Sequence, residues 1–124
     1  MSEKFAYQMK SMENYMFVKV SGKFDLSQAQ NFITTVIEKS HDTGLNRILI
    51  DARSVTGIDE TLDRYKMGEF ISKISPMSMK IAFLVSEKQI LPDKFFENVA
   101  KNRMLNAFVT TNFEEAKDWL FIMT

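Results

Sequence analysis

Two hydrophobic periods alternate along this 124-residue chain, and that alternation constrains its fold more than any other feature. Short, continuously apolar runs, Ile48–Ile50 and Ile81–Val85, sit between longer segments whose apolar residues recur every three or four positions. A run apolar at every position suits a strand covered on both faces, as in a parallel sheet. The three-to-four spacing suits a helix that buries one stripe. Leu26, Ala29, Ile33, Val36 and Ile37 form the first such stripe, and Met67, Phe70, Ile71 and Ile74 the second. Phe95, Phe96, Val99 and Ala100 form a third, and Phe113, Ala116, Trp119, Leu120 and Met123 a fourth.

Punctuation agrees with the periods. Asp25 stands three residues before Gln28, and Asn112 three before Glu115, the capping-box spacing in which side chains satisfy the first helical amides. Gly44 stops the first helix, Pro76 ends the second, and Pro92 suits the first turn of the third. Lys39 and the lone histidine, His41, fit the negative end of the first helix, so His41 reads as a terminal cation rather than a catalytic base. Ahead of these units, Phe5, Tyr7 and Met9 alternate with polar neighbours, and Met16, Val18 and Val20 do so after a turn at Glu13–Asn14. That is a hairpin pattern. The expected order is ββαβαβαβα: one α/β domain over residues 1–124, a mostly parallel sheet with an antiparallel N-terminal edge strand and helices packed on it.

Composition serves mainly to exclude. At 45% hydrophobic and 26% charged the chain is globular rather than disordered. Sixteen basic and sixteen acidic residues balance, with no basic arm, which argues against nucleic acid as a partner. Without cysteine, and with a single histidine, thiolate and multi-histidine metal sites are excluded. The apolar runs are far shorter than the ~20 residues of a transmembrane helix, and the first residues do not resemble a signal peptide. A cytoplasmic protein is expected. The four glycines form neither a dinucleotide fingerprint nor a Walker motif, and no nucleophile–base pair is visible. No catalytic residue, metal or cofactor is assigned, and the expectation is a non-enzyme.

Sheets of this kind place function beyond the carboxyl ends of their parallel strands. The stretch Asp51-Ala52-Arg53-Ser54-Val55-Thr56-Gly57-Ile58-Asp59-Glu60-Thr61, read as a loop after the third strand, is the richest in chemistry. Arg53, Asp59, Glu60 and the following Arg64 are the candidate protein-binding residues. A mixed-charge rim of this kind sets register and on-rate in protein recognition. The plain alternative is that Asp51 pairs with Arg53 and Asp59 caps a helix. A basic aromatic helix over Leu91–Met104, with Lys94, Lys101 and Arg103 around Phe95 and Phe96, could lie on a membrane surface, but core burial of both rings is favoured.

The stretch Ile48-Leu49-Ile50-Asp51-Ala52-Arg53 with Val55-Thr56-Gly57 and Asp59, the segment Asn98–Arg103, and the ending Phe113-Glu114-Glu115-Ala116-Lys117-Asp118-Trp119-Leu120 resemble the STAS-like proteins, small bacterial relatives of the sporulation anti-anti-sigma factors. The resemblance runs from about Tyr15 onward. It implies a non-enzymatic regulatory domain whose partner is another protein, of the kinase-like regulator kind, with a homodimer left open. It also implies a phosphoacceptor at the start of the helix after the third strand, which falls on Thr61. The signalling members carry Asp-Ser-Ser-Gly there, whereas this chain reads Asp59-Glu60-Thr61-Leu62. A phosphate would join three acidic neighbours, Asp59, Glu60 and Asp63, with Arg64 to compensate. Other branches resemble lipid-transfer domains, so the alternative is a carrier or sensor of an apolar ligand, with a pocket among Phe70, Phe83, Phe95 and Trp119.

Overall fold

The computed structural model describes residues 4–57, 61–76, 78–87 and 106–122, with the side chains of the second range given from Tyr65 onward. Strand β1 (Ala6–Ser11) runs antiparallel to β2 (Met16–Lys23). Strands β2, β3 (Arg47–Thr56), β4 (Lys80–Leu84) and β5 (Asn106–Thr110) are all parallel, and the spatial order is β1-β2-β3-β4-β5. Helices α1 (Leu26–Asp42), α2 (Thr61–Ile74) and α3 (Phe113–Leu120) complete the described elements. The third helical stripe of the sequence, Phe95 to Ala100, and the whole segment Leu91–Met104 lie outside the described residues.

Because successive strands step in one direction, right-handed crossovers carry α1 and α2 over the same face of the sheet. There Met16, Val18, Val20, Ile48, Ile50 and Ile81 meet Phe32, Ile33, Val36, Ile37 and Ile71, all buried. The alternate residues of the same strands, Leu49, Ala82 and Leu84, turn to the other face and bury against Tyr15, Ala116 and Leu120. Helix α3 follows the last strand and packs back over β3, β4 and β5 on that side. Continuous apolarity in Ile48–Ile50 is thus explained by two cores, one on each side of β3.

The helix starts follow their side chains. Asp25 Oδ1 accepts from Gln28 N at 3.1 Å, and Asn112 Oδ1 from Glu115 N at 2.9 Å. At α3 the reciprocal arm is extended by one residue. Asn112 N donates to Thr110 Oγ1 at 3.2 Å, and Thr110 Oγ1 donates to Glu115 Oε1 at 2.8 Å, so the end of β5 is tied to the start of α3. Gly44, with φ +76°, follows the α1 C-cap Thr43 as expected. Gly22 has a stricter role. It adopts φ +97° in β2, and a side chain there would run into the Lys4 carbonyl and Phe5 N, which cross directly over it.

One boundary differs from expectation. Residues 52–56 are strand, not loop. Between the pairs Lys19↔Asp51 and Ser21↔Ser54, β2 spends only Val20 while β3 spends Ala52 and Arg53, which is a β-bulge. β4 ends at Leu84, opposite Asp51, whereas β3 runs on to Thr56 in register with β2. The exposed Arg53, Ser54 and Thr56 therefore belong to a projecting half-strand, and the true turn begins at Gly57, where φ is +81°.

Candidate functional site

The bulge sets the geometry at the carboxyl end of β3. Arg53 stands two residues beyond Asp51 at the bulge, and the two form a two-pronged ion pair. Arg53 Nε donates to Asp51 Oδ1 at 3.0 Å and Nη2 donates to Oδ2 at 2.9 Å. The Arg53 backbone N–H adds a third bond to Oδ1 at 3.1 Å. The pair is lopsided in its exposure: the Asp51 side chain is 8% exposed and that of Arg53 50%. Burial pushes the Asp51 carboxyl up, but the Arg53 guanidinium and backbone N–H, with a smaller contribution from Lys19, hold it below the ordinary carboxylate value. The guanidinium is raised in turn, first by its bond to Asp51. The arrangement fixes a cation at the surface, because a planar fork held at both prongs has little freedom left.

The chain then crosses to α2. Phe24 N donates to Thr56 O at 2.7 Å, which holds the ends of β2 and β3 together, and α2 begins at Thr61. Thr61 and Arg64 therefore stand in the first turn of α2, at the positive end of the helix dipole. Asp59 and Glu60 lie outside the described residues, as do the side chains of Thr61 and Arg64. Of the four candidate binding residues, the structure places the Arg53 side chain, on the strand rather than in a loop.

The expected apolar pocket is overturned. Phe70 and Phe83 pack against the core under α1 and α2, whereas Trp119 packs in the core under α3. The sheet lies between them, so these rings cannot line one cavity; Phe95 lies outside the described residues. Trp119 is instead stacked on Phe108, with ring centroids 5.3 Å apart and planes 18° from parallel.

At the opposite end of this face is a second polar arrangement that the sequence reading missed. Arg47 and Lys80 are neighbours at the starts of β3 and β4. Arg47 Nε donates to Leu120 O at 2.8 Å, and Lys80 Nζ donates to Trp119 O at 2.6 Å and Ile122 O at 3.3 Å. The two cations thus bind carbonyls at and just beyond the end of α3, each also lying over a ring, Phe121 for Arg47 and Trp119 for Lys80. Burial first, and then Arg47, lowers the Lys80 ammonium. The available signal was the shared offset, one cation immediately before each apolar run. Among the described residues no group of three potential metal ligands occurs, and no helix is long and apolar enough to cross a membrane.

Two solved structures share this architecture. An anti-sigma factor antagonist from Mycobacterium paratuberculosis aligns with a TM-score of 0.62, covering 94% of this chain and 94% of its own, at 11% identity. An uncharacterised protein of the DUF3478 family with a SpoIIAA-like fold, from Shewanella loihica PV-4, aligns at 0.53, covering 95% and 94%, with 21% identity. This chain therefore has the STAS-like, SpoIIAA-like α/β fold. No protein-family model matches the sequence, and no curated protein is significantly similar to it.

Proposed function

We propose that the chain is a non-catalytic, STAS-like regulatory domain that works by binding another protein, as an anti-sigma factor antagonist does. The surface is the carboxyl end of β3 with the start of α2: Arg53, Asp59, Glu60 and Arg64. The observation that carries this reading is the buttressed Arg53, a half-exposed guanidinium fixed by a buried carboxylate at the fold's usual functional edge. Such a pre-ordered charge loses little side-chain entropy on docking. A kinase-like regulator is the partner proposed, and Thr61 is the phosphoacceptor to examine, since the first turn of a helix favours an added phosphate.

The test leaves Arg53 in place, because Asp51 depends on it. The double charge reversal Glu60→Lys, Arg64→Glu should abolish recovery of the partner that co-purifies from the native host, read by native mass spectrometry. The thermal midpoint should stay within a few degrees. Undiminished recovery of the same partner from the reversed variant refutes this surface.

A further inference from the structure

Strand β1 stands at one edge of the sheet, and it lacks the devices that usually keep such edges apart. Its register with β2 runs without a shift from Ala6↔Ser21 to Ser11↔Met16, so it carries no bulge. It contains no proline, and its one charge is Lys10. A regular edge strand of this kind is a template for a further strand. At about 3.4 Å per residue it offers a seam of roughly 20 Å.

Which backbone groups point outward follows from the hairpin turn. Met12 N donates to Tyr15 O at 2.8 Å, so these two form a hydrogen-bonded pair. Such pairs alternate with non-bonded ones along an antiparallel ladder. Lys10, Gln8 and Ala6 therefore bond to β2, whereas the backbones of Tyr7, Met9 and Ser11, with Phe5 just before the strand, turn away from it. Among the described residues β1 has no strand on that outer side. Ala6, Tyr7, Gln8, Lys10 and Ser11 are all exposed. The outward-turned residues also carry an apolar row on the α1 side. Phe5 and Met9 pack on the core there, and Phe5 and Tyr7 meet the Phe32 ring at 5.7 and 4.8 Å between centroids. Tyr7 nevertheless stays 37% exposed.

We infer that β1 pairs antiparallel with β1 of a second copy of this chain, with Gln8 on the two-fold axis. Residues directly opposite one another share a face of the sheet, so the apolar row continues only where odd-numbered residues meet odd-numbered ones. With Gln8 opposite Gln8, the exposed Tyr7 lies opposite the Met9 thioether, Phe5 opposite Ser11 and Ala6 opposite Lys10. Every outward-turned residue of both copies then has a backbone partner. Centring the pair on Tyr7 sets Lys4 against Lys10, and centring it on Lys10 sets that residue against itself; like charges directly opposite are unfavourable. Centring on Met9 faces Tyr7 with Ser11 and sends Phe5 to Glu13 in the turn. The edge is thus complementary to itself in one register. A seam this short belongs at the small end of specific interfaces, so the pair forms as concentration rises. It shares no residue with the surface proposed above, and either can fail alone.

The test uses the absence of cysteine from the chain. On the axis, residue 8 and its copy form a non-hydrogen-bonded pair with Cα atoms about 4.5 Å apart, within reach of a disulfide. Gln8→Cys should therefore cross-link to a dimer in a glutathione redox buffer. Lys10→Cys should not, because four residues of stagger hold it roughly 14 Å from its own copy, but mixed with Ala6→Cys it should give the mixed dimer. In sedimentation equilibrium the mass of the unaltered chain should climb from one chain toward two between about 10 µM and 1 mM. Gln8→Glu separates the pair from the fold. Within one copy residue 8 faces Lys19, which favours a carboxylate, whereas on the axis two carboxylates would meet. Its thermal midpoint in dilute solution should hold or rise while its dimer dissociates severalfold more readily. Equal cross-linking of Gln8→Cys and Lys10→Cys, or a Gln8→Glu dimer as tight as the parent's, overturns the inference. Monomer mass at 1 mM also overturns it and leaves the edge to a strand from another protein.

Discussion

The lopsided exposure of the Asp51–Arg53 pair makes a quantitative prediction about which partner the fold can spare. Removing Arg53 as Arg53→Met leaves a carboxylate that is 8% exposed without its two side-chain bonds. Breaking a fully buried pair costs about 3–5 kcal/mol. Here the lost guanidinium was half in water and the backbone bond from residue 53 survives, so about 2 kcal/mol is the expected cost at pH 7. Removing the acid as Asp51→Asn is milder. The amide keeps the shape and one acceptor, and the freed guanidinium is already half solvated, so the cost is about 0.5–1 kcal/mol. At roughly 4 °C per kcal/mol for a domain of this size, the midpoints should fall by about 8 °C and 2–4 °C respectively.

The pH dependence separates this cause from simple loss of packing. In the native chain the Asp51 carboxyl sits below its ordinary value of 3.8, so its contribution is present above that value and is lost as pH falls through the lower, folded one. In Arg53→Met the opposing guanidinium is gone and burial pushes the carboxyl up. Its protonation in the folded state then relieves the buried charge, and the deficit of the variant should shrink between pH 7 and pH 4. Urea unfolding of both variants at several pH values reads this directly. A deficit independent of pH, or an Asp51→Asn variant less stable than Arg53→Met, refutes the account.

Two further substitutions probe the frame around this site. Gly22→Ala should cost more than about 2 kcal/mol, from the positive φ and the collision with the Lys4–Phe5 backbone, and should release the N-terminal segment to proteolysis; a cleavage pattern and midpoint like the parent's would contradict it. Thr110→Val removes the hydroxyl that relays Asn112 N to Glu115, leaving an unpaired amide at the α3 start, and should cost about 1–2 kcal/mol in urea unfolding, against little change for Thr111→Val, whose side chain is exposed.

Much of the fold was legible because each described core element obeys one clean period. Ile48–Ile50 and Ile81–Leu84 are apolar at every position because cores lie on both sides, and both caps sit where the three-residue spacing put them. The second half of β3 was not legible, for a physical reason. Its ladder is with β2, Arg53, Ser54 and Thr56 are polar and exposed while Val55 is buried, and the bulge at Ala52–Arg53 breaks the period of two that would have marked it as strand. The Asp51–Arg53 pair itself was the plain alternative reading of this stretch, but its unequal burial was not legible, since that depends on how far β4 extends alongside. The supposed pocket failed differently. Phe83 alternates with Ala82 and Leu84, so its face was readable, but the face taken by Trp119 depends on the path of the chain after β5.

The cations on the α3 side of the sheet divide by what the fold asks of them. Arg47 and Lys80 bind carbonyls at the end of α3 and lie over the rings of Phe121 and Trp119, so replacing either removes a side-chain donor and a ring contact that hold that end on the sheet. Arg53 neutralises a carboxylate that burial would otherwise penalise. Both jobs are structural. Lys10, Lys19 and Lys23 share the same face and hold no ion pair among the described residues. None of the three stands opposite another in the strand register, since Lys10 faces Phe17, Lys19 faces Gln8 and Lys23 pairs with Thr56, so the fold carries these charges at little cost.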